Sequence, residues 1–258
     1  MRQRQKRFFI WEGVYPSFDQ VPKRGPGFNQ SKLVRKFELS LKKVRKVARA
    51  HCSVPREPRY EQSVLPVIAG IVSAEFGRVR VLDFGGGIGI DFLRLCTALP
   101  EASRIQFTVI ESPRVSVAGR REFAEDDRIH FQSRLPQRLR SDIVHIGSSL
   151  QYIRDWQRVL LDLVRVARPR YFLFTDLPAG DIPTFASAQI YYGSTIPYWF
   201  FNVSDILAVM RSLGFVLCSQ SAYEYKHLGR YRNFPVSNLP PRYRLPYACN
   251  LLFMTRKR

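Results

Sequence analysis

The stretch that most constrains this 258-residue chain is Val79-Arg-Val-Leu-Asp-Phe-Gly-Gly-Gly-Ile-Gly89. Val79, Val81 and Leu82 are strand formers, and Asp83 and Phe84 close the strand at its carboxyl end. Glycines at 85, 87 and 89 then turn the backbone at positive φ and leave bare amides that a ligand can approach. In the segment that follows, Phe92, Leu93, Cys96 and Leu99 recur at helical spacing. Strand, glycine turn and helix in that order point to an open α/β sheet with its ligand at the turn. The spacing also argues against a dinucleotide. The G-x-G-x-x-G fingerprint puts its third glycine three residues after the second, whereas here Gly89 follows Gly87 by two and Ile90 takes the fingerprint's place.

The rest of the chain alternates as such a sheet requires. Glu61–Phe76 reads as a buried helix, and Ile105–Ile110, Ile129–Phe131, Asp142–Ile146 and Tyr171–Thr175 read as strands. Helices are predicted over Val115–Phe123, Asp155–Ala167 and Ser204–Leu213. Phe215–Ser221 and Cys249–Thr255 look like two last strands with no helix between them, which suits a terminal antiparallel hairpin. The predicted fold is α/β and Rossmann-like, a mainly parallel seven-stranded sheet with helices on both faces. Trp11–Ser17 shows neither period and reads as an aromatic turn in which Trp11 and Tyr15 pin an N-terminal arm. Leu177–Asn202 reads as a polar, aromatic loop.

Charge sets the first quarter apart. The formal net charge is +20, and residues 1–60 hold 16 Lys/Arg against 4 Asp/Glu, while residues 61–258 hold 25 against 17. Two regions are therefore expected, a basic arm over 1–60 and a main domain over 61–258 with an acceptor-side loop at 177–202. Within the arm, Leu33, Phe37, Leu41, Val44 and Ala48 line one face of a helix over 31–50, capped by Ser31 or Asn29. Lysines and arginines fill its other faces. Such a helix can pack on its own domain, lie on an anionic membrane or touch nucleic acid. The four cysteines form no C-x-x-C pair, so neither a zinc site nor a disulfide framework is expected. No apolar run approaches the roughly 20 residues of a membrane span, and the expected location is the cytoplasm, at the inner membrane face if the basic helix binds lipid.

With Asp83 two residues before the first glycine, the turn reads D-x-G-x-G-x-G, which resembles the S-adenosylmethionine (SAM) loop of Rossmann-like methyltransferases. SAM carries no phosphate, so the loop needs close approach rather than anion capture, and an acid suits the cationic methionine end. Asp83, Phe84, Gly85, Gly86, Gly87 and Gly89 are the predicted cofactor contacts. Glu111, 22 residues beyond Gly89 at the next strand end, is placed to accept the ribose hydroxyls. Ser148 and Ser149 follow the next central strand and complete that set. Methyl transfer is an in-line displacement, so the catalytic set needs positioning and a proton acceptor. Gln151, Tyr152 and Asp176 stand where donor and acceptor should meet, with Asp176 the predicted base and Asp181 second to it. His145, between two apolar strand residues, reads as structural. Gln189, Tyr192, Tyr198 and Trp199 are the predicted acceptor contacts, because aromatic faces stack on rings. No metal site is predicted.

Leu82-Asp-Phe-Gly-Gly-Gly-Ile-Gly89, Ser148-Ser-Leu-Gln-Tyr-Ile153, Trp11-Glu-Gly-Val-Tyr15 and Ala188–Asn202 together resemble a bacterial family of SAM-dependent methyltransferases. Its members accompany enzymes of surface-polysaccharide biosynthesis, which implies a glycan or lipid-linked saccharide acceptor and O-methylation. Thr175-Asp-Leu-Pro178 departs from many of these relatives, which place an arginine straight after the aspartate. Two other classes stay open at this point: an RNA methyltransferase that uses the basic arm, and a non-catalytic SAM-fold protein that binds a partner.

Overall fold

The structure, a computed structural model, describes residues 9–28, 30–50, 63–99, 104–191, 193–223, 225–227, 230–232 and 234–256. The expected cap Asn29, the expected acceptor contact Tyr192 and the basic start at 1–7 lie outside the described residues. In chain order the elements are β1 (Trp11–Tyr15), α1 (Ser31–Ala50), α2 (Leu65–Phe76), β2 (Val79–Phe84), α3 (Ile90–Ala98) and β3 (Ile105–Ile110). Next come α4 (Pro113–Glu122), β4 (Ile129–Gln132), β5 (Ile143–Gly147), α5 (Trp156–Ala167), β6 (Tyr171–Leu177) and β7 (Ala179–Gly180). The chain ends with β8 (Phe185–Tyr191), β9 (Ser194–Asn202), α6 (Val203–Ser212), β10 (Phe215–Tyr223), β11 (Tyr225–His227), β12 (Arg230–Arg232) and β13 (Ala248–Thr255).

Seven strands form the main sheet in the order β10-β13-β6-β5-β2-β3-β4. The pairs among β6, β5, β2, β3 and β4 are parallel, while β13 runs antiparallel to both β6 and β10. Apolar clusters on the two faces of this sheet explain its near-continuous strand burial. One gathers α2, α3 and α4 with Val79, Val81, Phe107 and Ile143; the other gathers α5 and α6 with Leu82, Val144, Phe172 and Phe174. From β2 the chain moves outward through β3 and β4, then crosses back to β5. The strand order therefore reverses between β2 and β5, where sheets of this class bind ligands.

The aromatic segment is not a loop. β8 and β9 form an antiparallel hairpin, β7 pairs with β9, and β1 adds to β8 as a fourth strand. The turn reading of Trp11–Ser17 is corrected in the same way. Gly13, at φ +75, interrupts the alternation of β1, and tertiary pairing with β8 supplies what local pattern could not. Trp11 is 1% exposed and packs edgewise on Phe200 and Phe234 at 5.7 and 5.2 Å. Trp11→Ala is expected to cost about 3–5 kcal/mol through the cavity it leaves. That corresponds to a fall of roughly ten degrees in Tm, read by thermal denaturation.

Helix α1 uses its apolar stripe internally. Leu33 and Leu41 are buried, Val34 and Phe37 pack beside them, and the helix lies against α3 and α4. Arg45 fixes it to the Glu122 carboxylate at 2.8 Å, and Arg121 reaches Glu38. A helix on a bilayer buries that apolar stripe in lipid. Here the stripe is occupied, and Lys32, Arg35, Lys36, Lys42, Lys43 and Lys46 form the exposed side.

Candidate functional site

A cleft of about 450 Å³ opens at the carboxyl ends of the central strands. Two larger hollows, about 530 and 590 Å³, lie among arginines away from the glycine turn. Position decides between them, because ligands of such sheets bind beyond the carboxyl ends at the reversal of strand order. Gly85, Gly86, Gly87 and Ile88 line one end of the cleft, with Ile90, Asp91 and Arg94 of α3 beside them. Leu33, Lys36, Phe37 and Ser40 of α1 cover that end. At the other end stand Gly147, Ser148, Tyr152 and Asp176, faced by Gln189, Tyr191 and Tyr198 of the hairpin and by Trp11 and Phe28.

The glycine turn takes the shape its sequence predicts. Gly85, Gly87 and Gly89 have φ of +73, +60 and +85, and the Gly85 amide donates to the Ile110 carbonyl at 2.8 Å. What each glycine excludes differs. A Cβ at Gly85 would strike Ser149, whose Oγ donates to the Phe84 carbonyl at 2.7 Å, and one at Gly86 would strike the Asp83 carboxylate. A Cβ at Gly87 would meet only the Phe37 ring, at 3.7 Å. Gly86→Ala is therefore expected to act on stability, lowering it by about 1–3 kcal/mol as a clash against a buried group does. Calorimetric unfolding measures this.

Three predicted cofactor residues, Asp83, Ser149 and Phe84, stand behind the turn and outside the cleft lining. Asp83 is fully buried and bonds His145 Nδ1 at 2.9 Å, so it holds the turn without lining the cleft. Burial pushes its carboxyl above the usual range, against the pull of His145. Ser149 is tied to the Phe84 carbonyl, and half-buried Phe84 packs into the core beneath. Glu111 accepts from the Gly87 and Ser112 amides, the latter at 2.6 Å, while burial raises its carboxyl. His145 is structural, as expected: its Nε2 lies 3.1 Å from Thr175 Oγ1, and the imidazole ties β2 to β6 through β5. Asp83, Asp91 and His145 stand close enough to share an ion, but both imidazole nitrogens are hydrogen-bonded and Arg94 takes Asp91 at 2.8 Å.

At the acceptor end the predicted residues separate. Asp176 faces the cleft, and burial pushes its carboxyl up to about 7 against a hydrogen bond from Ser148. Its amide donates to Asn250 Oδ1 at 3.2 Å. Ser148 and Asp176 have φ of +51 and +55, so a non-glycine residue takes the left-handed region just after β5 and again at the penultimate position of neighbouring β6. Strain of this kind persists where the surroundings impose it, commonly at functional sites. Tyr152 lines the cleft and donates to Gln189 Oε1 at 3.0 Å, and Tyr198 packs on Tyr152 with ring centres 5.3 Å apart. Gln151 is buried behind Ser148 and donates to its Oγ at 3.3 Å, so it positions that serine and does not itself line the cleft. Trp199 points to the other side of β9, where it donates to the Ile153 carbonyl and stacks on Phe18. The strand alternation that a loop reading conceals accounts for this. Asp181 is exposed and away from the cleft. Tyr191, one of the aromatics expected to form the acceptor lid, lines the cleft, while Phe28, Trp11 and the α1 residues are cleft residues that the sequence reading did not assign. Only the helical period of 31–50 carried a signal for any of them.

No protein-family model and no curated protein matches this chain in sequence. Solved structures do match in fold. A Burkholderia thailandensis 1,6-didemethyltoxoflavin-N1-methyltransferase, with 1,6-didemethyltoxoflavin and S-adenosylhomocysteine bound, superposes with a TM-score of 0.52 at 16% identity over 95% of each chain. A methyltransferase complex with its activator from Haloferax volcanii gives 0.50 at 14% identity, over 93% of this chain and all of the other. The chain therefore has the Rossmann-like fold on which SAM-dependent methyltransferases are built.

Proposed function

We propose that this protein is a SAM-dependent methyltransferase acting on a hydroxyl of a ring-shaped acceptor, with a saccharide or lipid-linked saccharide as the acceptor class. The observation that carries the reading is the single cleft running from the glycine turn to Asp176. SAM, when bound, supplies an electrophilic methyl on a sulfonium. Gly85 to Gly87 would accept the cofactor against bare backbone, and Phe37 would cover it. Gly147 and Ser148 stand beside Asp176 at the other end. An acceptor ring would lie between Tyr152, Tyr191 and Tyr198, with the Gln189 amide for orientation and Asp176 to take the proton. Holding both reactants in line in one cleft supplies most of the rate in a displacement of this kind. The saccharide assignment rests on the sequence resemblance together with these aromatic walls, which stack on rings.

A second acceptor class has a specific observation in its favour. The Burkholderia thailandensis structure holds 1,6-didemethyltoxoflavin, a small molecule methylated on nitrogen according to that enzyme's name. A flat heteroaromatic fits the same tyrosine walls. Titration calorimetry with S-adenosylhomocysteine tests the cofactor, and lack of binding removes the enzymatic reading altogether. Transfer of labelled methyl from SAM into saccharides, set against flat heteroaromatics, separates the two acceptor classes.

A further inference from the structure

At the amino-terminal edge of the sheet, a cleft of about 530 Å³ is lined by five arginines, and a second of about 590 Å³ by two, with Arg168 common to both and no lysine in either. Arg78 precedes β2 and Arg80 lies in its first residues, Arg140 precedes β5, Arg165 lies in the last turn of α5 with Arg168 as its cap, and Arg170 precedes β6. Two carboxylates, Asp142 and Asp162, line this groove, and Glu75 lies beside it; each is already held. Arg80 takes Asp142 at 2.8 Å, Arg170 reaches Glu75 at 3.8 Å, and Arg158 takes Asp162 at 2.9 Å. Arg78, Arg140, Arg165 and Arg168 make no ion pair among the described residues, and all four are exposed.

Helix ends offer one explanation for so much positive charge. α2 and α5 both finish at this edge in left-handed caps, Gly77 and Arg168, and each helix terminus carries about half a negative charge. Four unpaired guanidinium groups exceed that by several-fold, so a net positive groove remains. Its shape narrows the choice of partner. The arginines sit in recesses between strand starts and helix ends rather than on a flat face, which a planar array of lipid headgroups would not enter. Two hollows that share Arg168 also extend beyond what one phosphate group needs. Arg170 stacks on the half-exposed Phe76 ring at 4.0 Å, a geometry that fixes the guanidinium plane and leaves its N–H edges outward.

We infer that this groove binds the phosphodiester backbone of a single-stranded nucleic acid, as a docking site separate from the methyl-transfer cleft. Phosphate contacts of this sort position a strand without reading its sequence and release counterions when they form. The inference stands apart from the proposed enzymatic reaction, because it uses none of the residues at the carboxyl edge.

The test is fluorescence anisotropy of the full chain with labelled 15-nucleotide RNA and DNA strands between 50 and 200 mM KCl. A triple variant, Arg78→Gln with Arg140→Gln and Arg168→Gln, is expected to bind at least tenfold more weakly. The slope of log affinity against log salt should also flatten by about 2, at roughly 0.7 for each phosphate that is no longer neutralised. Lys32→Gln with Lys42→Gln and Lys43→Gln, on the exposed side of α1, should stay within twofold of the parent. RNA and DNA binding alike indicates backbone recognition, and preference for RNA indicates added 2′-hydroxyl contacts; either supports the inference. If the triple variant binds as the parent does, or if the α1 variant loses as much, the groove is not the site. Anionic phosphatidylserine vesicles that bind with this same arginine dependence, while the oligonucleotides do not, would overturn it as well. Thermal melting and S-adenosylhomocysteine titration check that the triple variant is folded. Should it not fold, each single variant should still flatten the slope by about 0.7.

Discussion

Gly87→Val is expected to abolish S-adenosylhomocysteine binding, by at least a hundredfold in affinity, in a protein that still folds. The reason is the direction of the missing side chain. A Cβ at Gly87 meets no backbone and no buried group, only the Phe37 ring at 3.7 Å across the gap. The substituent would therefore occupy cofactor space between the turn and α1. The backbone at φ +60 adds strain, about 1–2 kcal/mol for an L-residue in this region. For a chain of this size that lowers Tm by several degrees and leaves the native state dominant. Calorimetry and thermal melting on one sample separate the two effects. Gly86→Ala is the internal contrast, since its methyl enters Asp83 and should cost stability first. A Gly87→Val protein that bound the ligand normally would sink the placement of the cofactor at this turn.

That contrast among adjacent glycines shows what the sequence could and could not reveal. D-x-G-x-G-x-G fixed the strand, the turn and the helix, because glycine spacing and apolar runs are local signals. That the sheet is mainly parallel followed from the same logic: parallel neighbours need helical crossovers, and each helix had a readable period. Even the antiparallel β13 was legible, from two strands with no helix between them. Asp83 was harder to place. The sequence puts an acid beside the turn, but only the pairing of β2 with β5 brings His145 to it, and that partner holds the carboxylate behind the turn.

The acceptor side was read less well, for a physical reason. Leu177–Asn202 carries strand-forming aromatics without clean alternation, because both faces of β9 are buried, Tyr198 and Phe200 on one and Phe201 on the other. A strand buried on both faces shows no period of two, and with Pro197 inside it the segment resembles a loop. Once the hairpin is seen, Tyr198 and Gln189 keep their expected place in the cleft, while Trp199 turns away. The contribution of α1 was hidden differently. Its amphipathic stripe said that it must pack on something, but only tertiary structure shows that Leu33 and Phe37 lie over the glycine turn.

Asp176→Asn is expected to lower kcat by about 10²–10⁴, the usual contribution of a positioned general base, with little change in cofactor affinity. The parent's kcat/KM should rise with pH and level off above about 7, where burial holds this carboxyl. The group must be ionised to accept the proton, so activity is lost on the acid side. A sulfonium bound as proposed would place a positive charge near Asp176 and favour its carboxylate, so the midpoint of kcat should fall below that of kcat/KM. Stability moves the other way. A carboxyl raised in the folded state contributes stability that is present below its unfolded value, 3.8, and lost as pH rises through about 7. The full difference corresponds to at most ~4 kcal/mol, an upper bound because the carboxylate opens into the cleft. Asn carries no charge to desolvate and keeps the shape, so Asp176→Asn should match the parent near pH 4 and exceed it in Tm at pH 8. Opposite changes in rate and stability at pH 8 identify a carboxylate kept under strain for chemistry. If kcat were unchanged and the profile flat near pH 7, transfer would proceed by positioning alone, and the cleft would need no base.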